Sequence, residues 1–261
     1  MTVDDSTKHI LIDSQERILR IQMNRPEKKN AITRAMYRTM AGAIIQADED
    51  DSIRVILITG TENCFTSGND LTDFRNASTP GQEHFRNPFI PAIYRAKKPI
   101  VAAVTGVAIG IGTTMLLHCD LVYAGIKARF QLPFVNLGLC PELGSSVLLP
   151  LLMGHHRAAE LLLLGAPFGA ETAREVGLVN MVCPEEELLM TALDKARQLA
   201  AQPSASVRLT KALMKRGREL AVTTAIEEEN GHFSKRLSSP EAIEAFQAFA
   251  ERRKPDFSRF P

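Results

Sequence analysis

The stretch that most constrains this chain runs from residue 99 to residue 147, PIVAAVTGVAIGIGTTMLLHCDLVYAGIKARFQLPFVNLGLCPELGSSV. It opens as an apolar run, Ile100-Val101-Ala102-Ala103-Val104, of the length and character of a buried strand. It then turns through Gly106, Gly110 and Gly112, carries a short apolar helix to Cys119, and gives two strand-like runs before a second turn. Buried scaffold and glycine-bearing loops meet here, an arrangement that sets functional groups on the ends of rigid elements. The turn at Cys140-Pro141-Glu142-Leu143-Gly144 places one acid after a proline at the start of an apolar helical pattern. Glu142 is the acid this turn singles out, as a catalytic base or as a residue of the helix start. Taken alone, the position serves equally well for a first-turn glutamate that complements a helix dipole.

The flanking chain supplies a layered α/β rhythm. Residues 17–23 alternate, with Leu19, Ile21 and Met23 on one side and Arg20 and Gln22 on the other, which predicts a half-buried strand. A polar, proline-broken loop follows over 24–30. Thr33 is placed to cap a helix whose buried face carries Met36, Met40 and Ile44. Residues 53–59, IRVILIT, predict a buried strand ending at Gly60. The loop 64–71, CFTSGNDL, is rich in residues that expose backbone N–H groups and tolerate tight turns. The polar tract 72–87 reads as a surface segment or lid.

Past the central stretch, residues 151–164 have helical spacing and stop at Gly165, 171–176 predict a short helix closed by Gly177, and 178–183 a small strand. From Pro184, read as a first helical residue, Leu188, Leu189, Ala192, Leu193, Ala196 and Leu199 keep helical period up to Pro203. Two or three further helices fill 204–253, the last with Ile243, Phe246, Phe249 and Ala250 on one face. The pattern changes from mixed α/β to all-helical near Pro184, which divides the chain into a core, 1–183, and a helical region, 184–261.

Several function classes drop out. A net charge of +1 over 261 residues gives no global electrostatic case for nucleic acid or a membrane surface. The four cysteines, Cys64, Cys119, Cys140 and Cys183, contain no C-x-x-C, which argues against a zinc site and a disulfide framework. Gly110-x-Gly112 fails as a dinucleotide fingerprint because Met115 stands where the third glycine belongs. His155 and His156 are adjacent, a spacing that suits surface or packing roles better than metal ligation, and no metal is expected. The pairs Lys28-Lys29 and Lys97-Lys98 read as solvated surface. The first residues, MTVDDSTKHI, lack the basic and apolar regions of a signal peptide, and no apolar run approaches the roughly 20 residues of a membrane helix. A soluble, cytoplasmic protein is the expectation.

Four separated motifs, in order, then carry a resemblance over nearly the whole chain: NRPEKKNA at 24–31, FTSGNDL at 65–71, VTGVAIGIG at 104–112 followed by CDLVYA at 119–124, and FQLPFVNLGLCPELGSS at 130–146. The chain resembles the enoyl-CoA hydratase/isomerase (crotonase) superfamily, and its SGNDL and LGLCPELGSS segments look most like the Δ3,Δ2-enoyl-CoA isomerase branch. The resemblance implies an α/β spiral of strand–strand–helix units with a helical C-terminal region that makes trimers or dimers of trimers. It implies an acyl-CoA thioester substrate and no separate cofactor, coenzyme A being part of the substrate.

Enolising a thioester puts negative charge on the carbonyl oxygen, which preorganised backbone N–H donors stabilise; losing one such donor costs about 3–4 kcal/mol. By resemblance these donors are the N–H groups of Asn69 and Ile111. Lys29, Ala31, Thr66, Ser67, Gly68, Asn69, Asp70, Leu71, Gly110 and Ile111 match places that hold the substrate. Thr114 and Phe134 stand where the superfamily's hydratases carry two glutamates. Thr114 can hold a water weakly and Phe134 cannot act as acid or base. Shifting a double bond needs one base only, and the isomerase branch carries its glutamate in the segment matching Pro141-Glu142-Leu143-Gly144. Asn87 matches an asparagine that orients the carboxylate in some isomerases, although an ordinary loop role suits it better.

Overall fold

The computed structural model describes residues 6–70 and 87–260. Its centre is a six-stranded sheet in the order β1 (Ile10–Gln15), β2 (Ile18–Met23), β3 (Val55–Thr59), β4 (Ile100–Val104), β6 (Leu121–Gly125), β9 (Met181–Cys183). The β1–β2 pair is antiparallel and every other pair parallel. A small second sheet joins β5 (Val107–Ile109), β7 (Arg129–Gln131) and β8 (Phe168–Gly169).

The apolar runs of β3 and β4 follow from covering both faces of a parallel sheet. Ile56, Ile58, Ile100, Ala102 and Val104 pack into the main core with helix α1 (Arg34–Glu49). The alternate residues Val55, Leu57, Val101 and Ala103 meet Leu188, Ala192, Ala196 and Ala200. These last four lie on a helix running Glu185–Ala201. The helix that begins just past Pro184 thus covers one face of the sheet, and Pro184 itself is its N-cap.

Thr33 caps α1 as expected, its side chain accepting from Met36 N–H. Elsewhere the structure corrects the sequence reading. Strand β1 was not anticipated: it is an edge strand with one buried residue in six. It is joined to β2 by Glu16 and Arg17, both in the left-handed region, so β2 begins at Ile18 rather than at residue 17.

The helix expected over 151–164 instead begins at Ser145 and stops at Gly154, whose φ of 80° no continuing helix accepts. The chain resumes with His155–Ala159 and a wide π-type turn, Glu160–Leu164, which ends at left-handed Gly165. On the last long helix, Pro240–Ala250, the expected face is split. Phe246 is buried with Ala242 and Ala245, whereas Ile243 and Phe249 are 56% and 65% exposed. Small residues allow this close approach, since a Cβ at Gly138 would stand 2.6 Å from Ala242 N. Lys98, expected on the surface, is buried because Ala47 and Asp50 carbonyls accept from its ammonium group.

Candidate active site

Three segments widely spaced in the sequence are fastened to one another beside β5. Thr66 N–H donates to Val107 O (2.9 Å) and Ile109 N–H to Thr66 O (3.1 Å), so the 64–70 loop runs along β5. Ile32 N–H donates to Gly68 O (2.8 Å) and Asp70 N–H to Ile32 O (3.0 Å), which ties the same loop to the start of α1. The 24–31 segment is locked on from outside: Asn30 Nδ2 donates to Cys64 O and Phe65 O, Thr66 Oγ1 to Asn30 O, and Arg25 pairs with Asp70 at 2.6 Å. Lys29 and Asn30 both take left-handed φ values to make the turn. Lys29 is exposed, and its backbone carbonyl accepts from Ser67 N–H. Ala31 presents its carbonyl to Arg25.

The two glycine loops touch. Gly68 has φ +91°, and a Cβ there would lie 2.7 Å from Ile109 O; a Cβ on Gly112 would lie 2.6 Å from Thr66 Cγ2. Only glycine at both positions permits this approach. Gly110, at φ +56°, starts a short helix, α2 (Ile111–Thr114), that continues as a 3-10 turn to His118. Neither Asn69 N–H nor Ile111 N–H donates to an acceptor among the described residues, which leaves two main-chain donors on adjoining loops available to an incoming oxygen. The side chain of Asn69 is engaged elsewhere, its Oδ1 accepting from Tyr37 OH at 2.5 Å.

Glu142 lies 6% exposed in the turn that precedes the Ser145–Met153 helix, and its Oε1 has no partner. The turn is attached to the far end of the Ile111 helix: His118 Nε2 donates to Leu143 O at 2.8 Å. Burial holds His118 neutral, its pKa lowered to about 4, so the ring acts as a structural donor. Desolvation, and then the charge of Glu229, raises the Glu142 pKa to about 8. Two opposed influences are expected at this position, a dry pocket that raises the pKa and a helix N-terminus that lowers it; because the helix starts only at Ser145, Glu142 stands outside its first turn, and burial prevails.

Thr114 is fully buried with Oγ1 unpartnered, as is Ser145 Oγ. Phe134 packs among Leu132, Leu139, Leu149, Phe233 and Phe246. Leu71 lies outside the described residues, as does the tract 72–86. Asn87 accepts from Phe89 N–H (3.0 Å) just before the helix Phe89–Arg95, whose N-cap is Pro88, an ordinary local turn contact. Tyr37, His118, Ser145 and Glu229 were not singled out in the sequence. A cavity of about 470 Å³ opens between the helices that carry Tyr94, Lys211, Lys215 and Val222, and it contains none of the predicted site residues. Two of its cations are engaged, Lys211 with Asp120 and Lys215 with Tyr94 O, whereas the buried orphan carboxylate lies in the Glu142 turn. Among the described residues no group of three or more metal-ligating side chains gathers, and no helix is long and apolar enough to cross a membrane.

A mainly parallel sheet, two unengaged main-chain donors on touching loops and a buried carboxylate on a third segment together define an α/β protein with a candidate active site beside β5. The chain belongs to the enoyl-CoA hydratase/isomerase (crotonase) family, whose pattern it matches over residues 13–259. It is 34% identical over 257 residues to the 1,2-epoxyphenylacetyl-CoA isomerase of Escherichia coli, covering 95% of this chain and 98% of that protein. It is 37% identical over 254 residues to enoyl-CoA delta isomerase 2 of Rattus norvegicus, covering 95% of this chain and 64% of that longer protein. Among solved structures, OdaA of Pseudomonas aeruginosa superposes with a TM-score of 0.89 at 46% identity, covering 93% and 98% of the two chains. Enoyl-CoA hydratases also stand among its relatives, so the family is fixed and the particular reaction is a separate question.

Proposed function

We propose that the chain is a Δ3,Δ2-enoyl-CoA isomerase that moves a 3-enoyl-CoA double bond to the 2-position. The observation that carries this reading is the buried, unpartnered carboxylate of Glu142, taken with the absence of any carboxylate at Thr114 and Phe134. Glu142 takes a proton from C2, the negative charge moves onto the thioester oxygen beneath Asn69 N–H and Ile111 N–H, and Glu142 returns the proton at C4. One base suffices because the proton is returned to the same substrate. Lys29, Ala31, the 66–71 loop and Gly110 hold the thioester and its coenzyme A moiety, with no other cofactor. A panel of 3-enoyl and 2-enoyl thioesters tests the assignment: isomerisation of the former without hydration of the latter supports it, and robust hydration that survives Glu142→Gln removes it.

The orphan hydroxyl of Thr114 favours one second reading, a weak hydratase in which that oxygen holds the attacking water. Thr114→Val separates the two, since it lowers hydration and spares isomerisation.

The base titrates in the working range. A general base acts deprotonated, so kcat/KM for isomerisation should rise with pH and level off above about 8, the value to which burial raises Glu142. A rate flat from pH 5 to 9 would exclude Glu142 as the titrating base.

We further propose a cytoplasmic homotrimer or a dimer of trimers. Exposed Ile243 and Phe249 on the last long helix, and Leu209, Leu213 and Met214 on the helix Ser204–Arg216, support it. Light scattering should give three or six times 28.7 kDa, and a monomer would count against it.

A further inference from the structure

The C-terminal helical region reaches the candidate base. Glu229 sits on the helix Glu219–Arg236 and is 6% exposed, yet its carboxylate is spent on main-chain atoms 83 and 85 positions away in sequence: Gly144 N–H donates to Oε2 at 2.6 Å and Ser146 N–H to Oε1 at 2.9 Å. These two donors bracket the start of the helix that follows Glu142. The turn they hold is costly, because Leu143 takes φ +59° and Gly144 φ +71° in succession. A left-handed leucine persists only where its surroundings over-determine it. Here the Leu143 side chain is fully buried, its carbonyl accepts from His118, and Val222 and Ile226, from the Glu229 helix, pack against Gly144.

We propose that Glu229 is the positioning residue of Glu142: its carboxylate holds the strained turn from which Glu142 projects, and its negative charge stands beside that base. The inference rests on reading Glu142 as the base. It assigns a part of each active site to the C-terminal helices of the same chain. The groups facing Glu142 are few. Glu229 comes from the C-terminal helix, and Cys140, on the same segment as Glu142, stays a thiol with its pKa pushed up to about 11 by burial first. Neutral His118, from the 3-10 turn, meets the neighbouring Leu143 carbonyl rather than Glu142 itself. Among the described residues, Glu229 is thus the anion set against Glu142 from another element.

Two variants separate charge from reach. Glu229→Gln keeps the length and removes the charge, so the pH midpoint of kcat/KM should fall by about a unit. Glu229→Asp keeps the charge but is too short to bridge both N–H groups; kcat should fall up to about 100-fold with KM and the midpoint little changed. A second readout needs no turnover. The stability difference between wild type and Glu142→Gln, followed against pH, bends at the pKa of Glu142 in the folded protein, and in a Glu229→Gln background that bend should move to lower pH.

A merely structural Glu229 would lower the unfolding temperature of both variants and move neither midpoint nor kcat. That result overturns the proposal while leaving Glu142 its role. Should Glu229→Gln not fold, a wild-type kcat in Glu229→Asp overturns it equally. If Glu142→Gln stays active, the base assignment has failed instead, and the stability bend still reports whether Glu229 acts on Glu142.

Discussion

Glu142→Gln should lower isomerisation by a factor on the order of 10²–10⁴ while coenzyme A esters bind within a few-fold, because the amide keeps the shape and cannot take a proton. The same substitution should make the protein more stable in alkaline solution. The pKa of Glu142 is raised to about 8 in the folded chain from 4.5. Between those values the unfolded chain has released its proton and the folded chain retains it, so the stability of the wild type falls as pH rises through that window. Above about pH 8 the folded protein carries a desolvated charge that glutamine lacks. A gain of about 1–5 kcal/mol is expected at pH 9 and almost none at pH 4, measured by urea unfolding. An inactive variant with no alkaline gain would mean that Glu142 is already ionised in the folded state at low pH.

Asn69→Pro should cost about 10²–10³-fold in kcat, the effect of losing one main-chain donor to an oxyanion. The position spares the neighbouring main-chain bonds, and the side-chain bond from Tyr37 that proline also removes is controlled by Asn69→Ala. The bridge between Asn69 and Ile32 uses Gly68 O and Asp70 N–H, so the Asn69 N–H is not part of it, and proline at 69 leaves both bonds in place. The residue before it is a glycine at φ +91°, which has no Cβ to clash with the proline ring. Asn69→Ala keeps the N–H and loses only the bond from Tyr37, so its effect should stay within about tenfold. Equal losses in the two variants, measured at matched folded fractions, would show that the asparagine side chain and not the main chain meets the substrate.

How far the sequence revealed these features depended on whether a residue's partner lies nearby. The β3 and β4 runs announce themselves because both faces of a parallel strand are buried, and the Thr33 cap needs only its own first turn. The edge strand β1 is mostly exposed, so its pattern carries little period-2 signal. The break at Gly154 hides in an apolar run that reads as one helix. Glu142 was legible by resemblance, and a rise of its pKa in a dry pocket could be expected from the apolar residues around it; the share of Glu229 could not, since that carboxylate lies 87 positions along.

A local trace of that carboxylate does exist. Val222, Ile226, Glu229 and Phe233 are spaced to share one helical stripe, and all four are buried. An acid on an apolar stripe has to find a partner, but nothing in the stripe says which. The loop contacts at Gly68 and Gly112 were readable as glycine turns, while the closeness of the two loops depends on atoms of Thr66 and Ile109 that only the folded chain brings near.

That closeness bears on how such a protein changes over evolutionary time. The two free donors belong to the main chain, so almost any substitution at 69 or 111 leaves them present, and only proline deletes one outright. What holds them is glycine at 68 and 112, where a single methyl group would collide with Ile109 O or Thr66 Cγ2. On the proposed reading, the machinery that steadies the anion is inherited with the backbone and is nearly indifferent to side-chain drift. On that reading an acidic side chain can be relocated around the anion site without disturbing it, whereas a methyl group at Gly68, set at left-handed φ against the Ile109 carbonyl, disturbs the site wherever the acid stands.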